Sequence, residues 1–177
     1  MNYISLIGII GSLILVTGAA WPEGQDAKHP IKYFKNWLFT IGGFSMLIYA
    51  ILGYLEGGPI FFIFLQGLVG ISSILMMAAI NDKIGGPIIT TGGLILIGWS
   101  LYLFDGYNTV FFIIGLMGIG LGYAFKMGTL RRPLALTLGS ILIAIFSYIE
   151  ASFIFFWLNV FFAIFSGYYV VRMLIKK

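Results

Sequence analysis

The chain has 177 residues, 60% of them hydrophobic and 9% charged, with a formal net charge of +4 and no cysteine. Soluble domains carry about 25% charged residues. So few charges cannot coat a globule of this length without leaving large apolar patches against water. This excludes a soluble fold, a disordered chain, a disulfide scaffold, thiolate metal sites and a cysteine nucleophile, and it predicts an all-α membrane protein.

A helix needs about 20 apolar residues, roughly 17 to 25, to cross the hydrocarbon core. Seven such runs follow one another: residues 3–21, 37–55, 59–80, 87–104, 107–125, 133–149 and 152–173. The first ends in Thr17-Gly18-Ala19-Ala20, which resembles a signal-peptide cleavage site. No Lys or Arg precedes it, and a signal peptide requires a positive start, so the run is read as the first helix. A polar loop from Pro22 to Asn36 follows, with Lys28, Lys32, Lys35 and the sole histidine, His29. Gly57-Gly58-Pro59 divides the second run from the third, and Gly85-Gly86-Pro87 opens the fourth. Asp105-Gly106 lies before the fifth, and Arg131-Arg132-Pro133 opens the sixth. Glycine between helices and proline in a first turn are the expected punctuation.

With the N-terminus outside, all ten Lys and Arg fall on the inner side, and the outer loops hold only Glu56, Asp105 and Glu150. The inner set is Lys28, Lys32 and Lys35; Lys83; Lys126, Arg131 and Arg132; and Arg172, Lys176 and Lys177. Lys/Arg bias in short loops sets orientation, so the reading is N-out and C-in with an odd number of crossings.

The second and sixth runs align at an offset of 94. Ala50, Ile51, Tyr54, Glu56, Ile60, Phe61 and Phe62 fall on Ala144, Ile145, Tyr148, Glu150, Ile154, Phe155 and Phe156. The first and fifth runs share a Gly-x-x-Gly pair, Gly8/Gly11 against Gly115/Gly118. The chain is therefore expected to comprise a three-helix repeat (1–83), a linker helix (84–105) and a second three-helix repeat (106–177). The linker supplies the crossing that leaves both repeats parallel, a known transporter plan.

This 3+1+3 arrangement, with the segments IYAILGYLEGGPIFFIFLQGLVGISSIL and LIAIFSYIEASFIFFWLNVFFAIFSGYY, resembles the SWEET/PQ-loop superfamily, whose architecture bacterial nicotinamide riboside transporters share. The chain has no Pro-Gln dipeptide, and its first, second and fifth helices carry no internal proline. The resemblance implies a substrate site between the repeats near the midplane, with amides from the third and seventh helices.

The polar residues deep in the spans agree with that placement. Gln66, Gly70 and Ser73 lie along one face of the third helix, and Asn159, Ala163 and Ser166 along one face of the seventh, at an offset of 93. Amides in lipid must find partners; these either bind a neutral polar ligand or join helices. Trp157, Tyr49, Trp99 and Tyr123 are candidates for stacking a planar ring, and each of them also fits a lipid-facing or interfacial role. Glu56 and Glu150 form either an outer gate or turn residues that favour a helix N-terminus.

No charge lies within a span in this reading, which argues for downhill movement of a neutral solute over ion-coupled pumping. The expected function is a facilitative carrier of a neutral polar or aromatic metabolite (vitamin-like, nucleoside-like or sugar). The alternative is a non-transporting scaffold or receptor of the same architecture. The composition offers no catalytic constellation, metal site or cofactor motif, and no basic patch for nucleic acid. The expected partners are a plasma or bacterial inner membrane, a small-molecule substrate and, in a homo-oligomer, further copies of the chain.

Overall fold

A computed structural model of the chain is all-helical over its described residues, 2–21, 34–126 and 128–175. Lys28, His29, Lys32, Lys176 and Lys177 lie outside them. Seven helices follow in order: α1 (Tyr3–Ala20), α2 (Phe34–Leu55), α3 (Phe61–Met77), α4 (Asp82–Tyr102), α5 (Tyr107–Ala124), α6 (Arg131–Ile149) and α7 (Phe153–Ile175). Six are long and apolar enough to cross a membrane. The exception, α3, has 17 residues; that is about 26 Å at the helical rise, the lower end of what spans a bilayer.

The helix bounds follow local chemistry. α4 begins at Asp82, five residues before the expected start, and carries Pro87 within it. Asp82 in the first turn favours the positive end of the helix dipole, while Pro87 forgoes one backbone hydrogen bond. α6 begins at Arg131, so Pro133 sits in the first turn, where its missing N–H has no intrahelical partner to lose. α2 and α6 end in the same way. The Gly58 N–H donates to the Gly53 carbonyl and the Ser152 N–H to the Ser147 carbonyl, each at 2.9 Å. The residues before them, Gly57 and Ala151, hold φ at 95° and 52°. These are left-handed C-caps that satisfy carbonyls otherwise orphaned at a helix end. α3 stops similarly at Ala79, φ 53°, with the Ile80 N–H on the Leu75 carbonyl.

The helices group into two compact units, Met1–Asn81 and Asp82–Lys177. In the first, α2 packs against both α1 and α3; in the second, α4, α5, α6 and α7 pack in series. The fourth helix, expected as a linker of its own, is part of the second unit through α5.

Glycines set the approach of α1 to α2 and of α5 to α6. A methyl built on Gly8 would lie 2.8 Å from the Tyr49 ring, one on Gly11 2.9 Å from Ser45 Cβ, and one on Gly42 2.7 Å from Leu15. In the second unit, a methyl on Gly115 would lie 2.8 Å from Ile143, one on Gly118 2.8 Å from Gly139, and one on Gly122 2.5 Å from Leu136. The pairs run in opposite directions along the two helices, so each couple is antiparallel. Each contact in the first unit has a counterpart in the second, 107 residues on in the first helix of the couple and 94 in the second. At the third contact the glycine and the leucine have changed helices. Without a hydrophobic force between helices in lipid, such close backbone contact is a principal source of association. Phe112 and Phe146, both fully buried with ring centres 5.1 Å apart, fill the α5–α6 seam towards its other end.

The charged residues of the described helices stay near helix ends. Lys35, Asp82, Lys83, Arg131 and Arg132 occupy first or second positions, and Arg172 lies in the last turn of α7.

Candidate functional site

α3 buries most of its circumference, and its one strongly polar side chain, Gln66, is only 2% exposed. Gln66 Oε1 is buried with no hydrogen-bond partner. Leaving an amide oxygen unpaired in a low-dielectric interior costs about 1–3 kcal/mol, so the position is a liability unless something else fills the bond. One and two turns on, Gly70 and Ser73 are buried on the same face. The Ser73 hydroxyl donates to the Val69 carbonyl at 2.9 Å, and Ser72 to Leu68 at 2.8 Å. Each serine spends its proton inside its own helix and keeps only acceptor lone pairs.

The matching stripe on α7 is also buried, with Asn159 5% and Ser166 8% exposed. Asn159 Nδ2 donates to the Phe155 carbonyl of its own helix at 2.8 Å. Among the described residues neither amide bonds to another helix. Both stripes thus lie inward, Gln66 in the first unit and Asn159 in the second.

The aromatic candidates Trp157 and Tyr49 do not join these stripes. Trp157 is 55% exposed and turns away from buried Asn159, with its ring against Phe156 and Phe161. A residue two positions from Asn159 on a 3.6-residue helix is rotated by about 200°, which places it on the other side. Tyr49 lies over Gly8 and fills the α1–α2 seam. Trp99 is exposed and Tyr123 half-buried.

Glu56 and Glu150 hold equivalent turns, and each has an amide partner from the start of its unit's matching helix. Asn2 Nδ2 donates to Glu56 Oε1 at 3.5 Å, and Asn108 Nδ2 donates to Glu150 Oε1 at 2.5 Å. Asp105, the third acid on the expected outer side, accepts from the Thr109 hydroxyl. At the opposite end of each couple a cation meets the carbonyl of the residue that caps the C-terminus of the first helix. Lys35 Nζ donates to the Trp21 carbonyl at 2.9 Å, and an Arg132 guanidinium N–H to the Phe125 carbonyl at 3.5 Å. Cations favour the negative end of a helix dipole and anions the positive end, so the α1–α2 and α5–α6 couples each have one acidic and one basic end.

A third polar stripe, which amide-centred reasoning passes over, runs along α6: Thr137, Ser140, Ala144 and Ser147, at steps of three and four. Its signal in the sequence is the i, i+3, i+7, i+10 spacing of small and hydroxyl residues, which hydropathy averages away. Ser140 and Ser147 are fully buried. Thr137 faces α7, its Cγ2 3.7 Å from a methyl built on Gly167. Thr137 and Ser147 donate to the Pro133 and Ile143 carbonyls, both at 2.7 Å. Ser140 Oγ has no partner.

Comparison with known proteins returned no matching family model, no similar curated protein and no similar solved structure.

Proposed function

We propose that the chain is a membrane carrier that moves a neutral polar or aromatic metabolite downhill, with Gln66 and Asn159 as its principal ligand contacts. The observation that carries this reading is the buried, unpartnered Gln66 Oε1. An amide that served to join helices would bond to a neighbouring helix. Gln66 Oε1 bonds to nothing, and Asn159 bonds to its own backbone. A ligand with a hydrogen-bond donor would fill the vacant bond. The confinement of charge to helix ends supports passive movement, since ion-coupled carriers place ionisable groups within the membrane.

The carrier in this proposal comprises two parallel three-helix repeats, N-out and C-in, of the SWEET/PQ-loop type, with the fourth helix providing the extra crossing. Its support is the recurrence, at fixed offsets, of three glycine contacts and of the C-caps of α2 and α6, together with an Asn–Glu pair and a cation on a carbonyl at corresponding ends of the two couples, though not at those offsets. The proposed location is a plasma or bacterial inner membrane.

A thermal-shift screen of the purified protein against vitamins, nucleosides and sugars tests the ligand class. A ligand at 100 times its Kd stabilises the fold by about 2.7 kcal/mol, so a binder raises Tm in wild type and much less in Gln66→Leu. A flat response across all three classes would favour the scaffold reading.

A further inference from the structure

Ser140 is the tenth of the nineteen residues of α6, so its hydroxyl lies midway along the helix. The other hydroxyls on its stripe are satisfied by their own helix, as are Ser72, Ser73 and Ser100. Bonding to the carbonyl four residues back is the usual recourse of a helical hydroxyl removed from water. Ser140 does not take it, although it is fully buried and its Oγ has no other partner.

From this we infer that the seam along α6 that carries Thr137, Ser140 and Ser147, and that meets α7 at Thr137, is a ligand-contacting, water-accessible surface of the second unit, with Ser140 as its central contact. The seam is sealed in this conformation and must open for the hydroxyl to be used. Its hydrogen-bonding character follows from proton accounting. Thr137 and Ser147 have given their only hydroxyl protons to carbonyls, so they can only accept from a ligand. Ser140 accepts or donates. The seam is therefore rich in acceptors and carries no positive charge. It suits a neutral solute bearing O–H or N–H donors and disfavours an anion. The ligand assignment rests on the carrier reading; access to the seam does not.

The absence of native cysteine allows a direct test in proteoliposomes. Ser140→Cys and Ile141→Cys place single thiols at the same depth on α6, one on the stripe and one on the exposed face. A cationic, membrane-impermeant methanethiosulfonate reagent needs water to reach and ionise a thiol, so position 140 is expected to label about tenfold faster than position 141. Thr137→Cys, on the same stripe, repeats the measurement should Ser140→Cys fold poorly. Labelling of the stripe no faster than position 141, in protein that elutes as a single species, overturns the inference.

Protection from labelling tests the donor requirement. Uridine, nicotinamide and erythritol are compared with N3-methyl-2′,3′,5′-tri-O-methyluridine, N,N-dimethylnicotinamide and tetra-O-methylerythritol. Slowing by at least one donor-bearing compound and by no capped one supports the assignment. Slowing by a capped compound, or by none, overturns the ligand class. Neither readout uses flux, so failure of the carrier reading is scored separately.

Discussion

Ala151 holds φ at 52° in the position where its counterpart Gly57 holds 95°. A left-handed conformation costs an L-residue about 1–2 kcal/mol, a penalty glycine escapes. Ala151→Gly is therefore expected to stabilise the protein by about 1 kcal/mol and to raise Tm by about 2–4 °C, measured by thermal unfolding in detergent. Gln66 shows the opposite balance between stability and use. Replacing an unsatisfied buried amide with an apolar group of similar shape removes a desolvation penalty, so Gln66→Leu should unfold no earlier than wild type, or later by about 1–3 kcal/mol. The same variant is expected to lose ligand-induced stabilisation. A variant that gains stability and loses binding identifies a functional residue, whereas a helix-joining amide would lose stability on replacement.

At the level of helix pairs, Leu15 against Gly42 in α1–α2 corresponds to Gly122 against Leu136 in α5–α6. Each couple needs one large and one small residue there, but which helix carries which is interchangeable. Gly42→Leu alone would overpack the seam and cost about 1–3 kcal/mol, and Leu15→Gly alone would leave a cavity costing about 2–5 kcal/mol. The double variant Leu15→Gly/Gly42→Leu reproduces the arrangement of the second unit and is expected to recover more than half of the summed loss. Thermal unfolding of the four proteins gives the coupling; strict additivity would mean that the two seams are not equivalent.

These seams also show what the sequence made legible. Apolar runs and Gly-Pro punctuation located all seven helices, because length and burial of backbone polar groups in lipid constrain a helix more than any side chain does. The start of α4 is not legible in this way, because Pro87 reads as a first-turn residue, yet Asp82 opens a turn ahead of it. Gln66, Asn159, Ser73 and Ser166 stand out as polar groups in apolar runs, and all four are buried. Residue type marks Trp157 and Tyr49 but does not give their direction; one faces outward and the other fills a seam. Asn2 and Asn108 carry no such signal, because hydrogen bonds between distant segments leave no local periodicity. The α6 hydroxyls are hard to read from hydropathy, because serine and threonine are nearly neutral on that scale.

At the scale of the whole chain, the acids and bases give each unit a polarity that local contacts reinforce. Glu56 and Glu150 accept from the start of α1 and from α5, while Lys35 and Arg132 donate to the ends of the same two helices. Because Lys and Arg stay on the cytoplasmic side of short loops, the basic ends are predicted to face the cytosol. A C-terminal fluorescent reporter should therefore be active, and a thiol at Ala151→Cys should react with impermeant reagents from outside intact cells. Reaction only after permeabilisation would reverse the orientation.

The most direct test of the carrier account is uptake into protein-loaded liposomes of the compound that gives the largest thermal shift, with no ion gradient imposed. The account predicts saturable uptake that ends when inside and outside concentrations are equal, and its loss in Asn159→Ala protein that purifies and reconstitutes like wild type. Uptake unchanged in Asn159→Ala, or no uptake above empty liposomes by wild type, would contradict it.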